Sequence, residues 1–240
     1  LQLNTTASNN TAVGYASLGA NTTGDRGVAI GTSALAANTT GAQNIGIGYL
    51  AMEANTTGGA NVGIGSGALG DNTTSNYNTA VGTLALTANT TGTGNSALGT
   101  FALDKTTTGS FNTAFGYAAL TQQTATGSVY NTAMGYNAGA AVTTGTRNTI
   151  IGGLAGDALT DADYNIAMGY QALSSDTLGS RSTALGYQSL ATQNFTSATG
   201  TYNTAVGFHA GNAVTTGVQN TLIGGLTGDA ITTANNNTAL

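Results

Sequence analysis

A glycine returns every 17 residues through this chain, and few folds can be built on so short a period. It begins at Gly14 and recurs at Gly31, Gly48, Gly65, Gly82, Gly99 and Gly116, then at Gly135, Gly152, Gly169, Gly186, Gly207 and Gly224. Two steps are longer, 19 residues before Gly135 and 21 before Gly207. Both fall on small insertions in the same part of the unit, around Thr126–Tyr130 and Thr199–Tyr202. The unit reads Asn-Thr-Ala-Val-Gly-Tyr-x-Ala-Leu-x-x-Asn-Thr-Thr-Gly-x-x. It is too short for a helix-pair repeat, which needs about 33 residues, and for a leucine-rich repeat, which needs about 20 in another pattern.

Positions are counted from the glycine. Position −4 is Asn in twelve of fourteen copies, Gly27 and Ser182 being the exceptions. Position −1 is always large and apolar, from Val13, Ile30 and Ile47 to Val206, Ile223 and Leu240. Position −2 is mostly Ala, with Gly46, Gly63, Ile150 and Leu222 as variants. Position +3 is small, and +4 is Leu or Met except at Gly139, Gly156, Gly211 and Gly228. All 13 charged residues lie between +5 and +12, and all ten tyrosines lie at +1 or −5. A repeat sorted this way has a buried half and an exposed half.

Apolar residues alternate with Ala and Gly around the glycine, the period-two signature of a strand, and Asn-Thr-Thr-Gly supplies a turn. The expected fold is all-β: a parallel β-solenoid of about fourteen 17-residue coils stacked at about 4.8 Å. Stacking turns the Asn column into an amide ladder. The absence of proline agrees, because an interior strand cannot spare an N–H. The expectation places the large residues at −1 and +4 inside and the charges outside. It leaves the Ala/Gly face for packing against other copies, most simply in a closed homotrimer. The segments from Asn131 to Thr160 and from Asn203 to Thr232 match at 21 of 30 positions, and an altered cross-section or turn is expected there.

Asn-Thr-Ala-Val-Gly-Tyr-x-Ala-Leu, and especially Gly27-Val28-Ala29-Ile30-Gly31-Thr32-Ser33-Ala34, resembles the repeat of trimeric autotransporter adhesin heads. The wording that runs on to Asn-Thr-Thr-Gly also resembles repeat regions of phage tail-fibre proteins. The adhesin resemblance implies a left-handed β-roll wound as a homotrimer, although its repeats are shorter, near 14 residues. Both resemblances imply a fibre at a cell surface or on a virion.

Composition narrows the function further. Four basic residues and a net charge of −5 argue against nucleic acid, which needs clustered cations, and against a basic membrane-surface helix. No apolar run is long enough to span a bilayer as a helix. The absence of cysteine removes disulfides.

Candidate sites reduce to repeat positions. Gly63-Ile64-Gly65-Ser66-Gly67-Ala68 superficially matches a dinucleotide loop, but no βαβ unit follows. Asp157, Asp161 and Asp163 could offer oxygens to Ca²⁺, yet the sibling segment keeps only Asp229, with Thr233 and Asn235 at the other places. His209 is the only histidine. Asn-x-Thr sequons stand at Asn4, Asn9, Asn21, Asn38, Asn55, Asn72, Asn89, Asn194 and Asn236, where the turn-forming role of Asn competes with glycosylation. The tyrosine columns could stack on sugars or form ladders at the edge of the core. No catalytic, cofactor-binding or metal-ligating residue is assigned.

The reading is a non-enzymatic structural and adhesive segment of an extracellular fibre, on a cell surface or virion. Its partners would be further copies of itself, as a homotrimer or an end-to-end filament, and a surface receptor or glycan. A subunit of a matrix or sheath filament is the alternative, and an ice-binding solenoid a minor one. Leu1–Thr6 enters the repeat partway and Asn237–Leu240 leaves it partway, so 1–240 is expected to be one uncapped solenoid segment of a longer fibre.

Overall fold

A computed structural model describes every residue from Leu1 to Leu240. It is all-β, a parallel β-solenoid without a helix. Contacts divide it into two compact units, Leu1–Tyr117 with Thr126–Ser128, and Ala118–Ala125 with Val129–Leu240.

In the first unit the rungs are Thr11–Val13, Val28–Ile30, Ile45–Ile47, Val62–Ile64, Thr79–Val81, Ser96–Leu98 and Thr113–Phe115. Each pairs in parallel with the next in a register of one repeat, as in Thr11↔Val28, Ala12↔Ala29 and Val13↔Ile30. The second unit repeats this with Thr132–Met134, Thr149–Ile151, Ile166–Met168, Thr183–Leu185, Thr204–Val206, Thr221–Ile223 and Thr238–Ala239. The insertions form extra pairs. Gly127–Ser128 lies beside Gly109–Ser110 in the first unit, and Thr199–Gly200 beside Gly179–Ser180 in the second.

Strands of three residues do not hold the coils together alone, because main-chain bonds continue around the perimeter. Leu18 N–H donates to Ala34 O (3.1 Å), Ala20 to Ala36 (3.1 Å), Thr22 to Thr39 (2.9 Å) and Gln43 to Asp25 (2.8 Å). The recurring glycine turns the corner with φ between 126° and 139°. A Cβ on Gly14 would stand 2.6 Å from the Gly31 carbonyl oxygen, so only glycine lets successive coils close up there. Positions +2, +4 and −5 are left-handed even when they are not glycine, as at Ala16 (56°), Leu18 (46°) and Arg26 (57°). Such a conformation costs an L-residue about 1–2 kcal/mol and persists where neighbouring coils over-determine it.

The interior corrects the expected phase. Leu18, Leu35, Met52, Leu69, Leu86 and Leu103 at +4 are buried as expected, but no residue at −1 is. Val13 is 56% exposed and Leu98 51%, whereas Ala29, Ala80, Ala97 and Ala114 at −2 are fully enclosed. The reason is width. A 17-residue coil brings opposite walls so close that Leu on one side leaves room only for Ala or Gly on the other. A Cβ on Gly63 would meet Met52 Cγ at 2.7 Å, and one on Gly46 would meet Leu35 Cγ at 3.0 Å. The Ala/Gly face is therefore half of each coil's own core, and the expected trimer contact through it is wrong.

Two buried amide ladders line this core. At +7, Asn38 Nδ2 donates to Asn21 Oδ1 (2.8 Å), Asn55 to Asn38 (2.7 Å), Asn72 to Asn55 (2.7 Å) and Asn89 to Asn72 (3.0 Å). At −4 each Oδ1 accepts the backbone N–H of the next coil's Asn, as from Asn61 to Asn44 (3.0 Å) and from Asn78 to Asn61 (2.9 Å). Asn44 Nδ2 meanwhile donates to Gly58 O at 2.6 Å. The amides thus replace water for turn backbone that would otherwise be buried unpaired.

Candidate functional site: the exposed columns

With the core accounted for, the functional surface is what the remaining columns present. Positions −3 and −1 share the outer face of each strand, since alternate side chains point to opposite sides. At −1 this face is a ladder of Val, Ile, Leu, Met and Phe with no covering element in the chain.

At +1 the tyrosines are exposed, and in the second unit they stack. Tyr170 and Tyr187 lie 5.7 Å apart, and Tyr187 and Phe208 5.3 Å apart, nearly parallel in both pairs. Tyr187 is covered on both faces by these rings, so its edge rather than a sugar-stacking face is presented outward. His209 belongs to the same cluster, 4.3 Å from Phe208 and 5.4 Å from Tyr187, with Nδ1 3.2 Å from Asn212 Nδ2. Its neighbours are aromatic and amide groups, and nowhere do three His, Asp or Glu side chains gather as a metal would need.

Position −5 holds a pattern that reading the tyrosines alone had missed. Five successive coils carry Tyr130, Arg147, Tyr164, Arg181 and Tyr202 there. The Arg147 and Arg181 guanidinium carbons each lie 5.4 Å from the Tyr164 ring centre, and Arg181 lies 5.8 Å from that of Tyr202. Arg147 Nη1 also donates to Tyr164 Oη at 3.2 Å. Each such cation–π contact is worth about 0.5–1 kcal/mol at an exposed site. The signal was the alternation of Arg and Tyr from coil to coil in one column.

The three aspartates considered for Ca²⁺ do not converge. Asp161 Oδ1 accepts from Thr144 Oγ1 (2.6 Å), and Asp163 Oδ1 accepts from Thr146 N–H (2.7 Å) and Oγ1 (2.9 Å). Asp157 Oδ1 is buried without a partner, and that burial pushes its carboxyl above the ordinary value.

Asp176 overturns the expectation that every charge lies outside. It occupies +7, the place of the ladder Asn, and is fully enclosed. Desolvation raises its carboxyl above the ordinary value against the opposing bonds, from Gln193 first and then from backbone N–H groups. Oδ2 accepts from Gln193 Nε2 at 2.6 Å, and Oδ1 accepts from the N–H groups of Gly179 and Phe195 at 3.0 Å. Gln193 continues the network to Ser182 Oγ (2.8 Å) and accepts from Asn203 Nδ2 (2.8 Å).

The sequons divide by column. Asn21, Asn38, Asn55, Asn72 and Asn89 are buried ladder amides and cannot accept a glycan in the folded chain, whereas Asn4, Asn9, Asn194 and Asn236 are exposed. In the Thr-Thr pairs the first hydroxyl donates to the next coil, as from Thr22 to Thr39 O and from Thr39 to Thr56 O (both 3.0 Å), which leaves one outward Thr column. The glycines of Gly63–Ala68 serve a strand, Val62–Ile64, and the corner after it rather than a phosphate loop. No family model matches the chain, and no curated protein or solved structure does either.

Proposed function

We propose that the chain is a non-enzymatic structural and adhesive segment of an extracellular fibre, self-assembled as a homotrimer. The observation that carries this reading is the exposed apolar ladder at −1. It repeats on every rung with side chains that are exposed, as at Ile30 and Leu98, or half-buried, as at Ile47 and Val81, and exposed patches of this kind mark interaction surfaces. The contact surface is thus moved from the Ala/Gly face to the outer strand face. A ladder that repeats coil by coil is self-complementary in spacing only to another solenoid of the same rise, so further copies of the chain are the fitting cover.

Native mass spectrometry of the full chain tests it, with three times 23.4 kDa expected. Ile30→Gln with Leu98→Gln should shift the species to monomer while leaving the strand signal in circular dichroism unchanged. A stable wild-type monomer would count decisively against the reading. An open-ended series of masses would favour the matrix or sheath filament instead.

A further inference from the structure

We propose that the Arg–Tyr ribbon at −5 of the second unit binds an anionic polysaccharide whose acid groups recur on alternate sugars. The inference rests on the adhesive reading above and names what the adhesive surface would hold. It uses a column separate from the apolar ladder at −1.

Arg147 and Arg181 stand two coils apart on one exposed column, which at strand spacing is about 9–10 Å, the reach of a disaccharide. Tyr164 lies between them, and its ring is engaged by both guanidiniums. The stack occupies the flat faces of rings and guanidiniums alike. What remains for a ligand is the edges: N–H donors of two arginines and the hydroxyls of Tyr164 and Tyr202. Arg147 spends Nη1 on two neutral oxygens, Tyr164 Oη (3.2 Å) and Thr146 Oγ1 (3.5 Å), so its charge is not neutralised by a hydrogen-bonded carboxylate. A guanidinium edge held rigid by stacking suits the planar, two-oxygen geometry of a carboxylate or sulfate.

Charge density selects the polymer. Asp161 and Asp163 sit beside the ribbon, Asp163 with Oδ1 held by Thr146. The chain carries a net charge of −5. A nucleic acid, charged at every residue, would meet more repulsion than two arginines offset. A glycan with one acid group per disaccharide places one anion on each arginine and a neutral sugar opposite Tyr164.

The test is binding of the full chain to immobilised hyaluronan, keratan sulfate and neutral dextran at low salt, with native mass and melting followed in parallel. Retention on either acidic polymer, weakened about tenfold or more by Arg147→Gln with Arg181→Gln, supports the proposal. The stronger of the two polymers then tells carboxylate from sulfate. Arg26→Gln is the control, since Arg26 holds the same position between Asn9 and Gln43 without flanking tyrosines, and it should leave binding unchanged. Tyr164→Leu, which keeps both charges but removes the stack, should weaken binding by a smaller factor. Equal retention on neutral dextran, no retention on either acidic polymer, or retention insensitive to the double variant would overturn the ribbon. If assembly is intact in those cases, the fibre reading survives; loss of assembly in the wild type would sink that reading separately.

Discussion

The ordinary coils of the first unit and the glycine coils of the second fill the same narrow interior by different means. In the first, Leu69 or Leu86 at +4 faces Ala80 or Ala97 at −2, and the corner at +7 is an amide, Asn72 or Asn89. In the second, Gly139 and Gly156 stand at +4, Val142 and Leu159 replace the amides, and Ile150 replaces Ala at −2. The segment at Gly211 and Gly228 repeats the exchange with Val214, Ile231 and Leu222. A Cβ on Gly139 would meet Ile150 Cδ1 at 2.8 Å and Leu120 Cδ2 at 3.1 Å. The volume given up at +4 is therefore occupied from the other wall. Interiors are packed too closely for one of these exchanges to stand without the others.

The largest expected effect breaks that exchange. Ile150→Ala should cost about 2–5 kcal/mol, because a buried side chain leaves a cavity between two glycines that cannot fill it. Ala80→Ile in an ordinary coil should cost about 1–3 kcal/mol by overpacking against Leu69. Combining Ala80→Ile with Leu69→Gly imitates the glycine coil, and the pair should be better than additive by about 0.5–3 kcal/mol. Urea unfolding of the four variants measures this coupling. Strict additivity would mean that −2 and +4 do not share one space.

Much of this was legible in the sequence, and the error in it is instructive. The period, the parallel register and the coil length follow from the glycine spacing alone. The phase did not follow, because Ala and Val alternate as cleanly whichever of them faces inward. Size suggested that the larger residue was inside, but in so thin a coil the larger residue does not fit opposite Leu. The deciding signal was present in the replacements: Ile150 and Leu222 occur where +4 has become glycine. Left-handed leucines carry no such mark, since no composition rule anticipates Leu18 or Leu86 at positive φ. The buried charge of Asp176 was readable only once +7 was known to be an interior column.

The second comparison is between the continuous amide ladder and its interruption. Each ladder Asn donates both to the Asn of the coil before it and to the carbonyl three residues on, as Asn38 does to Asn21 and Gly41, so a coil following Leu159 lacks the first of these two acceptors. Asp176 stands in that coil, and a carboxylate needs only donors, which Gln193, Gly179 and Phe195 supply. The cost is a buried ionised group. Its folded-state carboxyl is raised, so the stability it confers is full below the ordinary value of 3.8 and is lost as pH rises through the raised value. Relative to Asp176→Asn, the native chain should lose stability across that window, by at most about 1.4 kcal/mol per pH unit, and run parallel above it. Thermal melts of both proteins from pH 3 upward, about one unit apart, give the difference directly. A difference that is flat with pH would show that the carboxyl has the same affinity for its proton in both states.

The smallest expected effect separates conformational relief from packing, the two things that glycine at +4 changes together. Ala60 lies at −5 with φ 55°, left-handed like Leu86 at 52° but without a side chain filling the core. Ala60→Gly removes about 1–2 kcal/mol of left-handed strain and adds about 0.5–1 kcal/mol of chain entropy to be lost on folding. The net should be a stabilisation of no more than about 1.5 kcal/mol. Leu86→Gly gains the same relief and forfeits a fully buried leucine, so it should be strongly destabilising. Core volume outweighs backbone comfort at +4, which is why glycine stands there only in coils whose +7 residue has become apolar. If Ala60→Gly destabilises in denaturant melts, the left-handed positions are not strained in this stack, and the glycine coils owe their existence to packing alone.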